Sequence, residues 1–174
     1  MIISNADLKF ARDTLRSFLD AVALCRAVSE FSGNGHYFLT VVRGNAFDIA
    51  VISWCILFGS DHTENQRLHW KNMFDPDFFR KGMLEAVGCS FDEWKEYRTL
   101  VVDYRNELAA HRDLNPATRF NPNFDLALLA ANFYHQRLGD RFENEVGKKF
   151  ENITFLEEFE RRREAFAADL KAHF

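Results

Sequence analysis

The sequence predicts an all-α protein, a single up-and-down bundle of five to six helices spanning residues 1–174. Three observations lead there. Only 3 prolines and 8 glycines occur in 174 residues, which leaves room for long uninterrupted elements rather than the turn-rich pattern of an all-β domain. Apolar residues recur at intervals of three and four along most of the chain. Apolar residues make up 47% of the composition and there are 19 phenylalanines. A chain of this length can bury such a set in one core.

The first helix is expected from Asn5 as its cap, carrying Leu8, Leu15, Phe18, Leu19, Val22 and Cys25 on one side. It should stop at Gly33-Asn34-Gly35, a double breaker. A second helix, from about His36 to Phe58, is apolar on nearly all sides. That pattern predicts a central position in the bundle. Residues 60 to 74 read as a polar loop. Asp75-Pro76 then sets a cap with proline at the first helical position, opening a short helix that ends before Gly88. Ser90 and Glu93 form a capping box. It opens a helix of about twenty residues, with Trp94, Tyr97, Val101, Tyr104 and Leu108 as an apolar seam in steps of three and four. His111 takes the next step of that seam.

Asn115-Pro116 and Asn121-Pro122 bracket a loop. A fifth helix follows to about Leu138, with Gly139 and Gly147 as punctuation. The last helix, about Thr154 to Ala172, carries the charge run Glu157 to Glu164, a solvated face with opposite charges one turn apart.

Composition narrows the function classes. The formal net charge is −4, so nucleic acid can be attracted only by a local basic patch and not by the chain as a whole. Cys25, Cys55 and Cys89 are far apart and form no Cys-x-x-Cys, which argues against zinc-ribbon and thioredoxin-like chemistry. Their apolar flanks predict buried free thiols in a reducing compartment. Met1 to Phe10 lacks the basic and apolar segments of a secretion signal. The apolar run Ile49 to Phe58 is too short to span a bilayer. The expectation is a soluble cytoplasmic protein with no membrane partner.

The stretch that carries chemistry is Tyr104-Arg105-Asn106-Glu107-Leu108-Ala109-Ala110-His111-Arg112. An arginine fork matches a phosphate, and a histidine accepts or donates a proton near neutral pH. Arg98, Arg105 and Arg112 recur every seven residues, a basic stripe beside the seam. His62 and His69 with nearby carboxylates could hold a metal, but they stand seven apart and not at the i, i+4 spacing of one helical face. A structural loop pinned by Trp70 is the better reading. Arg67, His69 and Lys71 could also line the Arg105 cleft. Trp70, Trp94, Tyr97 and Tyr104 could stack bases, though aromatics at helical spacing are usually core.

Arg105-Asn106, then the interval to Ala110, then His111 resembles the HEPN superfamily of small helical bundles. Its members carry an arginine, often followed by a polar residue, then four to six residues and a histidine. The resemblance also covers chain length and bundle architecture. It implies a metal-independent endoribonuclease without a cofactor, of the kind found as toxins or in phage defence. Arg105, Asn106 and His111 would be catalytic, with Arg98, Arg112, Arg67 and His69 as substrate-binding residues. It further implies a homodimer with a site shared between subunits, an RNA substrate, and an antitoxin or other regulatory protein as partner. The alternative is an inactive bundle of the same fold that binds nucleotide, RNA or a partner protein.

Overall fold

The computed structural model describes residues 3–31, 36–59, 67–109, 121–147, 150 and 153–174. Among them are seven α-helices and no strand: α1 (Asn5–Phe31), α2 (Tyr37–Phe58), α3 (Trp70–Met73), α4 (Pro76–Val87), α5 (Phe91–Tyr104), α6 (Asp125–Val146) and α7 (Phe155–His173). A π-helical turn, Arg105–Ala109, continues α5. The all-α bundle expected from the sequence is the one observed, with seven helices in place of five to six. The extra one comes from the 60–74 region, where Trp70–Met73 coils into one turn; the short helix expected after Asp75-Pro76 is α4.

Local chemistry sets the helix ends. At the N-terminus the cap is Ser4 and not Asn5. The Ser4 backbone N–H and hydroxyl both donate to Asp7 Oδ2 at 2.8 and 2.7 Å, and Asp7 N–H donates back to Ser4 Oγ at 3.2 Å. This is a capping box in which an aspartate replaces the usual glutamate. Ser90 with Glu93, and Thr154 with Glu157, complete the same reciprocal bonds at the starts of α5 and α7. Asp75 accepts from Phe78 N–H at 2.9 Å and Pro76 begins α4.

The sequence expectation for α6 fails at its end. The helix runs through Gly139 and stops at Gly147, whose φ of 69° turns the chain into the left-handed region. Gly139 lies inside the helix beside Phe150, where a Cβ would make an ordinary contact at 3.4 Å. The Gly33-Asn34-Gly35 breaker and the Asn115-Pro116 turn lie outside the described residues.

α1 is the axis of the bundle, packed along α2 on one side and α7 on the other, with α6 closing the layer. One continuous core holds Leu8, Leu15, Phe18, Trp54, Phe58 and Tyr134, all fully buried. Its centre is aromatic. Phe58 meets Trp54, Phe79, Trp94 and Tyr134 at ring separations of 5.1 to 6.5 Å. Edge-to-face and offset arrangements of this kind add to plain area burial. Trp70, Trp94 and Tyr104 are 5, 4 and 9% exposed, so these three serve the core rather than a base-stacking surface.

The charge run of α7 is solvated as expected and also clamps α7 to α1. Glu158 binds Arg161 and Arg162, Arg162 reaches Asp20, and Arg163 reaches Glu30 at 2.8 Å. The expectation that α2 is central is corrected. α2 is flanked by α1 and by α5 with its π turn, but Phe38, Val41, Ile49, Ile52 and Ile56 are 38 to 62% exposed. The all-round apolar pattern has two causes, a buried side and a bare one. α2 is also long and apolar enough to cross a membrane by length and composition, with mean hydropathy 1.6 over its best window, 44% of which is buried inside the bundle. The shorter run counted in the sequence understated it, because Arg43 and Asp48 interrupt the run without ending the helix.

Candidate functional site

Arg105 opens the π turn, and its own N–H is shared between the carbonyls of Val101 and Val102. A π turn closes on the fifth residue instead of the fourth, and such turns occur mostly as single bulges inside α-helices, frequently at functional sites. The turn is held from two sides. Tyr104, one residue before it, donates its hydroxyl to Asp48 on α2 at 3.1 Å and packs its ring 5.1 Å from Phe47. Leu108 and Ala109 pack on the core.

Arg105 is half-buried and Asn106 is exposed. Arg105 Nε donates to Asn106 Oδ1 at 3.0 Å. The asparagine therefore orients the guanidinium. Among the described residues no carboxylate pairs with Arg105. Its cationic field reaches α2: burial pushes the Cys55 thiol up to about 12, while Arg105 and then Arg98 pull the other way. A cation that is oriented, partly desolvated and without an acidic partner in the described structure is suited to meeting an anion such as a phosphate oxygen. His111 and Arg112 lie outside the described residues.

The other sequence candidates fall in different places. Arg98 is on α5, two turns before Arg105, and is committed to structure. Its Nε donates to Phe58 O and Gly59 O at 3.1 and 3.0 Å, and its Nη2 to Gly59 O at 2.7 Å. It caps the last turn of α2. Arg67 pairs with Asp7 Oδ2 at 3.0 Å at the start of α1. Together with the two Ser4 bonds, which come first, it holds the Asp7 carboxyl below the ordinary carboxylate range against the opposing effect of burial. His69 is 2% exposed and caps α3, its Nδ1 accepting from Lys71 N–H at 3.3 Å. Burial keeps His69 from being a surface contact for substrate. Among the described residues no three metal-ligating side chains gather; His62 lies outside them.

Sequence reasoning missed one grouping. Lys71, Arg80, Lys95 and Arg98 converge on a shallow cavity of about 90 Å³ over Trp70 and Trp94, with Phe91 at its edge. The signal was present as Lys95 and Arg98 at i, i+3 on α5. Lys71 and Arg80 arrive from α3 and α4, and no spacing within one element could reveal them.

The fold and site define an all-α bundle with an asparagine-oriented arginine on a π turn. No protein-family model, no curated protein and no solved structure matches the chain.

Proposed function

We propose that this protein is a metal-independent endoribonuclease of HEPN type, acting as a toxin or phage-defence component. The observation that carries the proposal is the Arg105 guanidinium, aimed by Asn106 on a π turn and met by no acid among the described residues. In this reading His111 takes the proton from a ribose 2′-hydroxyl, or returns one to the leaving 5′-oxygen. Arg105 neutralises charge that grows on the phosphate oxygens during transfer. Asn106 fixes the direction of the fork.

The proposed site is shared by two copies of the chain. The bare row on α2 supports that arrangement. Ile52, one turn beyond Asp48, is rotated from it by only about 40°, and Asp48 is the residue that holds Tyr104 beside the π turn. A second subunit seated on this row would face the Arg105 turn. Apolar rows of this kind are the usual core of homodimer interfaces.

The test is cleavage of single-stranded RNA in excess chelator by wild type, Arg105→Ala and His111→Ala, with melting temperature measured alongside. Wild-type cleavage that both substitutions abolish, with melting unchanged, is the expected result. Cleavage that requires added metal would overturn the mechanism. Wild-type binding without cleavage would leave the inactive RNA-binding bundle as the function.

A further inference from the structure

The cavity between α3, α4 and the first two turns of α5 is distinct from the π turn. Its floor is Trp70 and Trp94, both nearly buried. Lys71, Arg80, Lys95 and Arg98 surround it, and no carboxylate is among the described residues that line it. Four cations around one depression contrast with a chain whose net charge is −4. Of the acids on the same helices, Asp77 pairs with the rim cation Arg80 at 3.5 Å at an exposed position, and Glu93 receives the Ser90 N–H and hydroxyl.

Stem packing accounts for part of this arrangement. Lys71 Nζ lies 5.5 Å from the Trp70 ring centre and Arg80 Cζ lies 5.9 Å from it, so both cover a tryptophan. It does not account for the rim. Phe91 is 52% exposed, Lys95 is exposed beside it, and Arg80 Cζ stands 6.0 Å from the Phe91 ring. A bare aromatic face next to several cations is the arrangement that takes a base and its flanking phosphates. The cavity is too small for a folded ligand and large enough for one phosphate.

We propose that this groove binds single-stranded nucleic acid, with one base on Phe91 and neighbouring phosphates against Lys71, Arg80 and Lys95, beside the structurally committed Arg98. The assignment of RNA as the natural strand rests on the proposed ribonuclease reading; the groove itself does not. Nothing in the lining reads a 2′-hydroxyl, so DNA of the same sequence binds comparably. A duplex binds less well, because its bases are stacked and cannot reach Phe91. Arg105 follows Arg98 by seven residues, about 10 Å along the helix and within about 20° of the same face. A strand lying along α5 would therefore pass from the groove to the π turn.

The experiment uses fluorescence anisotropy with a labelled oligodeoxyuridylate, which lacks the 2′-hydroxyl and cannot be cut by the proposed chemistry. The proteins are wild type, the double variant Lys71→Glu with Lys95→Glu, Phe91→Ala, and Lys171→Glu on α7 as a control. Substitution at Lys71 leaves its backbone N–H on His69, and melting curves check that each variant is folded. The double variant is expected to bind at least tenfold more weakly, with a salt slope smaller by about 0.7 for each phosphate that no longer meets a cation. Phe91→Ala is expected to bind about fivefold more weakly or worse, with little change in salt slope. Binding within twofold of wild type for both variants, equal weakening by Lys171→Glu, or no binding by wild type overturns the proposal. The two readings separate cleanly. If groove variants lose binding and wild type never cuts RNA, the groove stands and the ribonuclease falls. If RNA is cut through Arg105 while groove variants bind and cut as wild type does, the groove falls and the ribonuclease stands.

Discussion

Removing the Arg98 side chain should destabilise the whole bundle. The guanidinium supplies two independent donors to the end of α2: Nε, shared between Phe58 O and Gly59 O, and Nη2 on Gly59 O at 2.7 Å. These carbonyls have no partner within their own helix. Charge-assisted hydrogen bonds contribute about 1.5–3 kcal/mol each. Arg98 is half-buried, so the lower end applies to both, giving about 3 kcal/mol. A cation at a helix C-terminus adds about 0.3–1 kcal/mol, part of which is the same interaction. Arg98→Ala should therefore cost about 3 kcal/mol, and for a chain of this size the melting temperature should fall by roughly 6–12 °C. Arg98→Lys keeps the charge and one donor and should lose about half as much. Arg98→Met keeps the stem and should resemble alanine. Urea denaturation followed by far-ultraviolet circular dichroism measures all three. An alanine variant within about 0.5 kcal/mol of wild type would refute the capping argument and return Arg98 to the set of substrate-binding residues.

Four further outcomes follow from the described geometry. Burial pushes Cys25 and Cys55 up to about 12 and also raises Cys89, which is only half-buried; a thiol reagent at mildly alkaline pH should therefore modify Cys89 first and the other two only on unfolding, as peptide mapping would show. Because the folded thiols stay protonated where unfolded ones ionise, stability should decline as pH rises from about 9 towards 12. At the acid end, Arg161 first and then Arg162 hold the Glu158 carboxyl down to about 2, against an ordinary value of 4.5. Its contribution is present at neutral pH and should be lost as pH falls from about 4.5 to 2, and Glu158→Gln should flatten that limb of an acid titration. Gly59→Ala should destabilise by more than 1 kcal/mol in thermal melts, about the median cost of a substitution, because its Cβ would stand 2.4 Å from Cys55 O.

Much of the fold was legible because its signals are local. Ser90 with Glu93 and Asp75 with Pro76 declare helix starts through bonds made within one turn. The charges of α7 are set by three- and four-residue steps, although their reach to Asp20 and Glu30 on α1 was not. What escaped depends on neighbours distant in sequence. α2 looked central because residues with equal hydropathy face the core and the solvent alike. Arg98 looked like part of a basic stripe until the end of α2 came to lie against it. His69 reads as a polar loop residue, and only packing against Trp70 shows it buried. The candidate site was legible in its residue types, Arg105 and Asn106. Its geometry was not, because nothing in Arg-Asn-Glu-Leu-Ala announces a π turn.

That turn has a mechanical consequence. A helix behaves as a screw with a fixed thread, and one extra residue in a single revolution advances everything beyond it by about 100° without lengthening the screw appreciably. The seam from Trp94 to Tyr104 is counted on one thread, and the Arg105–Ala109 turn is counted on another. Deleting a single residue between Arg105 and Ala109 would restore the common thread and improve the helix as a helix, yet remove the wider turn on which Arg105 and Asn106 are presented. Tightness of coiling and correctness of aim are opposed at this one point in the chain, so a variant with more regular helix here should be the stiffer protein and the worse instrument.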